Sequence, residues 1–202
     1  MSRHYERFKE AINADHSVDQ VKNLQGLLIQ LDADEREAAE KDVINAFLSG
    51  RTDLAAAVKL CKYHDGNKIL TDALNGPEID YERAMDISFV LAGKNMSPDV
   101  ERALQNVYIN ERRLRTLISY RLWDFHSSYE LFCFLASLIS IDTSANIELS
   151  ALAIAIMKCC GIITDPYNSD EIMVHIKDLM DLSVHSPDMR MRKVDTLRGI
   201  FR

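Results

Sequence analysis

Apolar residues recur at a spacing of roughly 3.6 along almost the whole chain, and no segment alternates strictly over more than a few residues. That period puts side chains on one face of a helix, whereas a half-buried strand needs a period of two. Val21, Leu24, Leu27, Leu28 and Leu31 form one stripe, and Leu54, Ala57, Val58 and Cys61 form another. Ala84, Ile87 and Leu91 continue the theme, followed by Val100, Leu104 and Val107. Leu149, Leu152, Ala153 and Ile156 repeat it, as do Ile172, Ile176, Leu179 and Met180. The fold class implied is all-α.

Helix boundaries carry their own chemistry. Asp34-Glu35-Arg36-Glu37 reads as a capping box, with Asp34 as cap and Glu37 reaching back, and Asn168-Ser169-Asp170-Glu171 reads likewise. Ser97-Pro98-Asp99 and Ser186-Pro187-Asp188 each offer a cap, a proline at the first helical position and an acid favoured by the helix dipole. Gly50, Gly66, Gly76, Gly93 and Gly161 follow apolar runs and read as helix stops. With only 7 Gly and 4 Pro in 202 residues, these signals predict helices near 3–13, 17–32, 35–48, 53–65, 67–75, 78–92, 98–109, 111–124, 127–141, 144–160, 169–183 and 187–200. Links of a few residues force neighbouring helices antiparallel.

One echo bears on the arrangement. Ser-Pro-Asp followed by an apolar residue occurs at Ser97 and again at Ser186, an offset of 89 residues. Two units of about 40–47 residues span that offset, which is the period of HEAT and armadillo helix pairs. On this pattern the chain, from Ser17 onward, resembles a short HEAT-like repeat protein. It departs from a clean repeat, because helix lengths vary and no consensus recurs. The resemblance implies a right-handed array of antiparallel helical hairpins, an α-α superhelix of about 10–12 helices. Residues 1–202 then form a single helical-repeat domain, with 1–16 as an N-terminal cap helix and 186–202 as a C-terminal one.

The formal charge is −7 and it is uneven: residues 1–50 carry six Lys and Arg against ten Asp and Glu. An acidic front half disfavours general nucleic-acid binding, which needs cations for phosphate, and suits a partner with a basic surface. The amino terminus lacks the apolar run of a signal peptide, and Leu149–Ile163, the most apolar window, is interrupted by Lys158. The expectation is a cytoplasmic protein that does not enter membranes, with Cys61, Cys133, Cys159 and Cys160 as free thiols. Cys159 and Cys160 are adjacent, point about 100° apart on a helix and would not readily bridge each other.

Candidate sites each have a plainer reading. Cys61, His64 and Asp65 fall within five positions, yet two ligand types one turn apart do not complete a zinc site. Cys61 extends an apolar stripe, His64 falls near a helix end where a cation suits the dipole, Gly66 stops the helix and Asp65 can cap the next one. His4, His16, His126, His175 and His185 form no spaced set, and no Gly-rich phosphate loop or nucleophile elbow is present. No catalytic residue, metal ligand or cofactor is therefore assigned. Asp34 and Glu37 share a helix face with Lys41, and Asp80, Glu82 and Asp86 make a second acidic patch. Both read as solvated helix starts or as docking surface. Trp123 and Tyr129 flank an inter-helix corner, either sealing it or standing exposed as interface anchors. Arg112, Arg113 and Arg115, with Arg190, Arg192, Lys193, Arg198 and Arg202 at the end, either contact phosphate or serve helix C-termini.

The expectation is a non-catalytic protein-binding module using Asp34, Glu37, Asp80, Glu82, Asp86, Trp123 and Tyr129. In size, charge and helical character the chain is also similar in type to bacterial immunity proteins. That resemblance implies neutralisation of a cognate toxin, such as a basic nuclease. A scaffold subunit of a larger assembly, and an enzyme or nucleic-acid binder with dispersed residues, are the alternatives.

Overall fold

The computed structural model describes residues 2–13, 18–76, 79–93, 96–141, 146–184 and 186–201, the side chains of 18–21, 146 and 201 aside. His16, Ser17, His185 and Arg202 and the side chain of Val21, all named above, lie outside the described residues. The described residues are helical with no strand, and neighbouring helices pack on one another. The chain divides into two compact units, Met1–Leu91 and Ala92–Arg202.

The first unit contains α1 (Arg3–Asn13), α2 (Val18–Gln30), α3 (Ala33–Leu48), α4 (Ala55–Val58), α5 (Gly66–Leu74) and nearly all of α6 (Tyr81–Ala92). The periodic stripes supply its core: Phe8, Leu24, Leu28, Val43, Phe47, Leu54, Val58 and Leu70 are fully buried. α1 packs on α2 and α3, and α4 packs on α2, α3 and α5. Each fully buried leucine or phenylalanine contributes about 1.5–3 kcal/mol of transfer free energy.

The second unit contains α7 (Pro98–Asn110), α8 (Arg115–Arg121), α9 (Tyr129–Ile139), α10 (Asn146–Cys159), α11 (Ser169–Val174), α12 (Ile176–Ser183) and α13 (Pro187–Arg198). Its centre is α10, where seven consecutive residues, Ala151–Met157, are buried. A helix apolar on every side needs neighbours on every side, and α10 packs on α8, α9 and α12. Lys158 ends this run by turning its ammonium onto the carbonyl oxygens of Trp123 and Phe125, the latter at 3.1 Å.

Several predicted boundaries are corrected. The helix expected over 53–65 is a 3-10 turn, Thr52–Leu54, then α4, which ends at Val58. The one expected over 111–124 is α8 flanked by 3-10 turns, Arg112–Leu114 and Leu122–Asp124. The one expected over 169–183 breaks at His175 into α11 and α12. α3 is capped by Asp32, which accepts from Glu35 N at 2.9 Å, so Asp34 sits inside the helix. Glu35 is drawn instead to the Ser2 backbone and hydroxyl. Asn168 and Ser97 cap as expected, whereas the Ser186 side chain makes no cap hydrogen bond.

Candidate functional site

The carboxylate of Glu40 organises the stretch between α4 and α5. Glu40 follows Arg36 by one turn of α3 and lies in the stripe of Val43, Ile44 and Phe47, fully buried. Its Oε1 accepts from Lys62 N at 3.0 Å and Arg36 Nε at 3.2 Å, and its Oε2 accepts from Tyr63 N at 2.8 Å. His64 Nδ1 stands 3.5 Å from Oε2, and Arg36 also donates to Leu60 O at 3.2 Å. Burial is the largest single influence on this carboxyl and raises its pKa. The N–H groups of Lys62 and Tyr63, with Arg36 and His64, together outweigh burial and hold the pKa below its ordinary value. The helix predicted through residue 65 stops at Val58 because this side chain captures the N–H groups beyond it.

Cys61 is accordingly a buried small hydrophobe. Burial, reinforced by the Glu40 charge, pushes its thiol up to about 12, and its Sγ lies 3.6 Å from Ala57 O. A thiol so disposed is a poor nucleophile and a poor metal ligand. Gly66 does not stop a helix but begins α5, where a Cβ would come within 1.8 Å of Val58 O. Asp65, at φ 47°, caps α5 by accepting from Lys68 N at 3.2 Å. His64 sits beside Glu40 in the turn between α4 and α5, past the helix end where the sequence placed it. Sequence reading took the acids around Glu40 for a solvated cluster. The signal it passed over was a Glu at a core position of an apolar stripe, one turn after an Arg.

The first unit also sorts its charges by direction. It holds 11 Lys and Arg against 17 Asp and Glu, a net of −6, while the second holds 13 against 14, a net of −1. Arg36, Arg51, Lys59 and Arg83 turn onto main-chain carbonyls: Leu60 at 3.2 Å, Ile12 at 3.3 Å, Leu91 at 3.3 Å and Phe47 at 3.1 Å. Among the described residues of this unit, ten carboxylates are exposed against seven cations. Asp34 and Glu37 are exposed on α3, with Glu37 3.0 Å from Lys41. Asp80 is exposed and caps α6 by accepting from Arg83 N at 2.8 Å. Glu82 follows it, exposed, and Asp86 is half-buried one turn on.

Trp123 and Tyr129, in the second unit, part company. Trp123 is only 7% exposed, which matches the first of its two readings, sealing the corner, rather than standing exposed. Its indole N–H donates to Ala151 O at 2.8 Å, and Tyr120 and Tyr167 meet its ring edge-on at 4.7 and 5.3 Å. It seals the junction with α10, while Tyr120, Tyr129 and Tyr167 face solvent. Tyr120 and Tyr167 were not singled out in sequence, since neither lies on a periodic face. Tyr167 donates its hydroxyl to Asp124 at 3.0 Å.

The basic residues of this unit divide in the same way. Arg115 donates to Tyr108 O at 2.6 Å and Ile109 O at 3.0 Å, closing the end of α7. Arg113 pairs with Glu111 at 3.3 Å, and Arg190 is buried. Cys159 and Cys160 are buried free thiols raised by that burial, Cys160 to about 12; Cys133 is half-buried and free. Among the described residues no group of three His, Cys, Asp or Glu is placed to hold a metal ion, and no helix is long and apolar enough to cross a membrane.

Comparison with protein-family models, with curated proteins and with solved structures finds no match.

Proposed function

We propose that the chain is a non-catalytic protein-binding module whose first unit receives a partner with a basic surface. The observation that carries this reading is the sorting of charge in that unit: four long cations are folded onto main-chain carbonyls while carboxylates stay at the surface. Arg51 also pairs with the exposed Asp53 at 2.8 Å, so the imbalance rests on ten exposed carboxylates against seven exposed cations among the described residues of the unit. The remaining field accelerates encounter with positive partners and repels nucleic acid. In finer detail, the helices form a HEAT-like array of hairpins, and the partner is a toxin neutralised in the manner of an immunity protein. Asp34 and Glu37 on α3 and Asp80, Glu82 and Asp86 on α6 make the contact of the first unit, and Tyr129 and the junction around Trp123 are a candidate contact of the second unit by itself.

The test is affinity capture of the partner, followed by titration of the purified pair across a range of salt. Affinity should fall steeply with salt, and replacing both Asp34 and Glu37 by Lys should weaken it at least tenfold, about 1.4 kcal/mol. An affinity indifferent to that double substitution would place the contact elsewhere. Tight binding to RNA or DNA in place of a protein would overturn the reading.

A further inference from the structure

Glycine follows an aspartate or an asparagine at two positions, Asp65-Gly66 and Asn75-Gly76, and these stand at the two caps of α5. Such a pair has a chemistry of its own. The backbone nitrogen of the second residue attacks the side-chain Cγ of the first and closes a five-membered ring. The approach is least hindered where the second residue has no Cβ.

The fold holds the two pairs differently. The Asp65 carboxylate accepts from Lys68 N at 3.2 Å, and its carbonyl accepts from Ile69 N at 3.1 Å. Gly66 is buried, its N–H donates to Cys61 O at 3.1 Å, and a Cβ on it would lie 1.8 Å from Val58 O. Turning this nitrogen towards the Asp65 carboxyl would unwind the start of α5 and disturb the turn that Glu40 holds.

Asn75 is exposed, and the helix ends at it. Gly76 N donates to Ala73 O at 3.2 Å, the long end of the normal range, and Asn75 Nδ2 donates to Thr71 O at 3.0 Å. Both bonds belong to the last turn of α5, the kind of segment that opens at least cost. Among the described residues, neither Asn75 nor Gly76 makes a hydrogen bond outside this turn. Every other asparagine of the chain precedes a residue that carries a Cβ. Asn168, followed by a serine, commits its Oδ1 to the N–H groups of Asp170 and Glu171 at 3.1 and 3.2 Å.

We propose that Asn75 is a self-modification site, at which the chain converts its own amide into a carboxylate. When the last turn opens, Gly76 N bonds to Asn75 Cγ and the Cγ–Nδ2 bond breaks. The proton from Gly76 N leaves with Nδ2 as ammonia. Water then adds to either carbonyl of the cyclic imide and opens it, giving aspartate or isoaspartate with no change of oxidation state. The product differs physically from the parent. The Nδ2 donor to Thr71 O is gone, and a negative charge stands at the negative end of the α5 dipole. The isoaspartate branch also lengthens the backbone by one carbon after α5. Either branch adds one negative charge to a unit that already carries a net of −6.

The test incubates the full chain at neutral pH, native and urea-unfolded side by side. Peptide mass spectrometry follows each asparagine, and an isoaspartyl methyltransferase counts isoaspartate. In the native chain the peptide holding residue 75 should gain about 1 Da before any other asparagine peptide. Its rate should stay within tenfold of the unfolded rate, whereas isoaspartate at residue 65 should form at least tenfold more slowly in the native chain. Gly76→Ala should slow conversion at least tenfold with unchanged circular dichroism, since its Cβ would lie 3.2 Å from Ala73 O, a contact that a small shift relieves. Native conversion of Asn75 more than tenfold below the unfolded rate would overturn the proposal, as would earlier conversion at Asn168. An undiminished rate in Gly76→Ala, or a mass gain without isoaspartate, would exclude the ring and overturn it too.

Discussion

In the first unit a buried charge gathers the chain between two helices; in the second, which also buries Glu148 and Arg190, a helix apolar along seven residues does. Glu40 gathers two N–H groups and Arg36 around residues 60–63, so α4 and α5 meet at a polar centre inside an otherwise apolar core. α10 gathers α8, α9 and α12 around seven consecutive buried residues. The surfaces differ in the opposite sense. The unit with the polar centre has an acidic exterior, whereas the unit with the apolar centre leaves apolar side chains on its exterior. A charged exterior acts at long range and is screened by salt, whereas exposed apolar side chains act only at contact.

The comparison predicts a ranked set of effects. Glu40→Ala removes one partner of a buried charge cluster and strands Arg36 with the N–H groups of Lys62 and Tyr63. It should cost about 4 kcal/mol in denaturant unfolding followed by circular dichroism. A loss below 1 kcal/mol would show that water replaces the carboxylate and that the centre is not polar in the sense described.

Leu152→Ala, at a fully buried position of α10, should cost about 3 kcal/mol. The chain has one tryptophan, Trp123, bonded to α10, so its fluorescence reports on this unit alone. Leu152→Ala should move the fluorescence transition first and Glu40→Ala should leave it less affected. Equal shifts of both probes by both variants would dissolve the distinction.

Gly66→Ala should cost about 2 kcal/mol, because the Val58 carbonyl it meets is backbone and cannot swing aside. Gly26→Ala, with open space around it, should be neutral or stabilising by comparison.

The smallest effect is a pH dependence. Glu40 has its folded pKa below the unfolded value of 4.5. Its contribution is therefore complete above that value and is lost as pH falls through the lowered folded one. Glu40→Gln should flatten the acid limb of stability in that window. An unchanged limb would mean that other carboxylates set it.

How much of this was legible follows from the range of each cause. The stripes were legible because burial repeats with the helix period, and Leu24, Leu28, Leu54, Val58, Leu104 and Leu152 are core as read. The caps at Ser97 and Asn168 were legible because their partners lie within three residues. The choice between Asp32 and Asp34 was not, since both precede a glutamate by three, and Ser2, some thirty residues away, engages Glu35. The end of α4 depends on a carboxylate 22 residues upstream of the Lys62 N–H that it captures, and the burial of Trp123 on a carbonyl 28 residues downstream. Of the acidic positions, sequence recovered the exposed Asp34, Glu37, Asp80 and Glu82 but not the buried Glu40, where local charge pattern and core position disagree.

The four thiols have a practical consequence. Cys61, Cys159 and Cys160 are buried and held protonated, whereas Cys133 on α9 is only half-buried. An alkylating reagent applied to the native protein should therefore modify one site first, and that site lies in the second unit. A dye attached there would give a partner-binding reporter without any engineered cysteine.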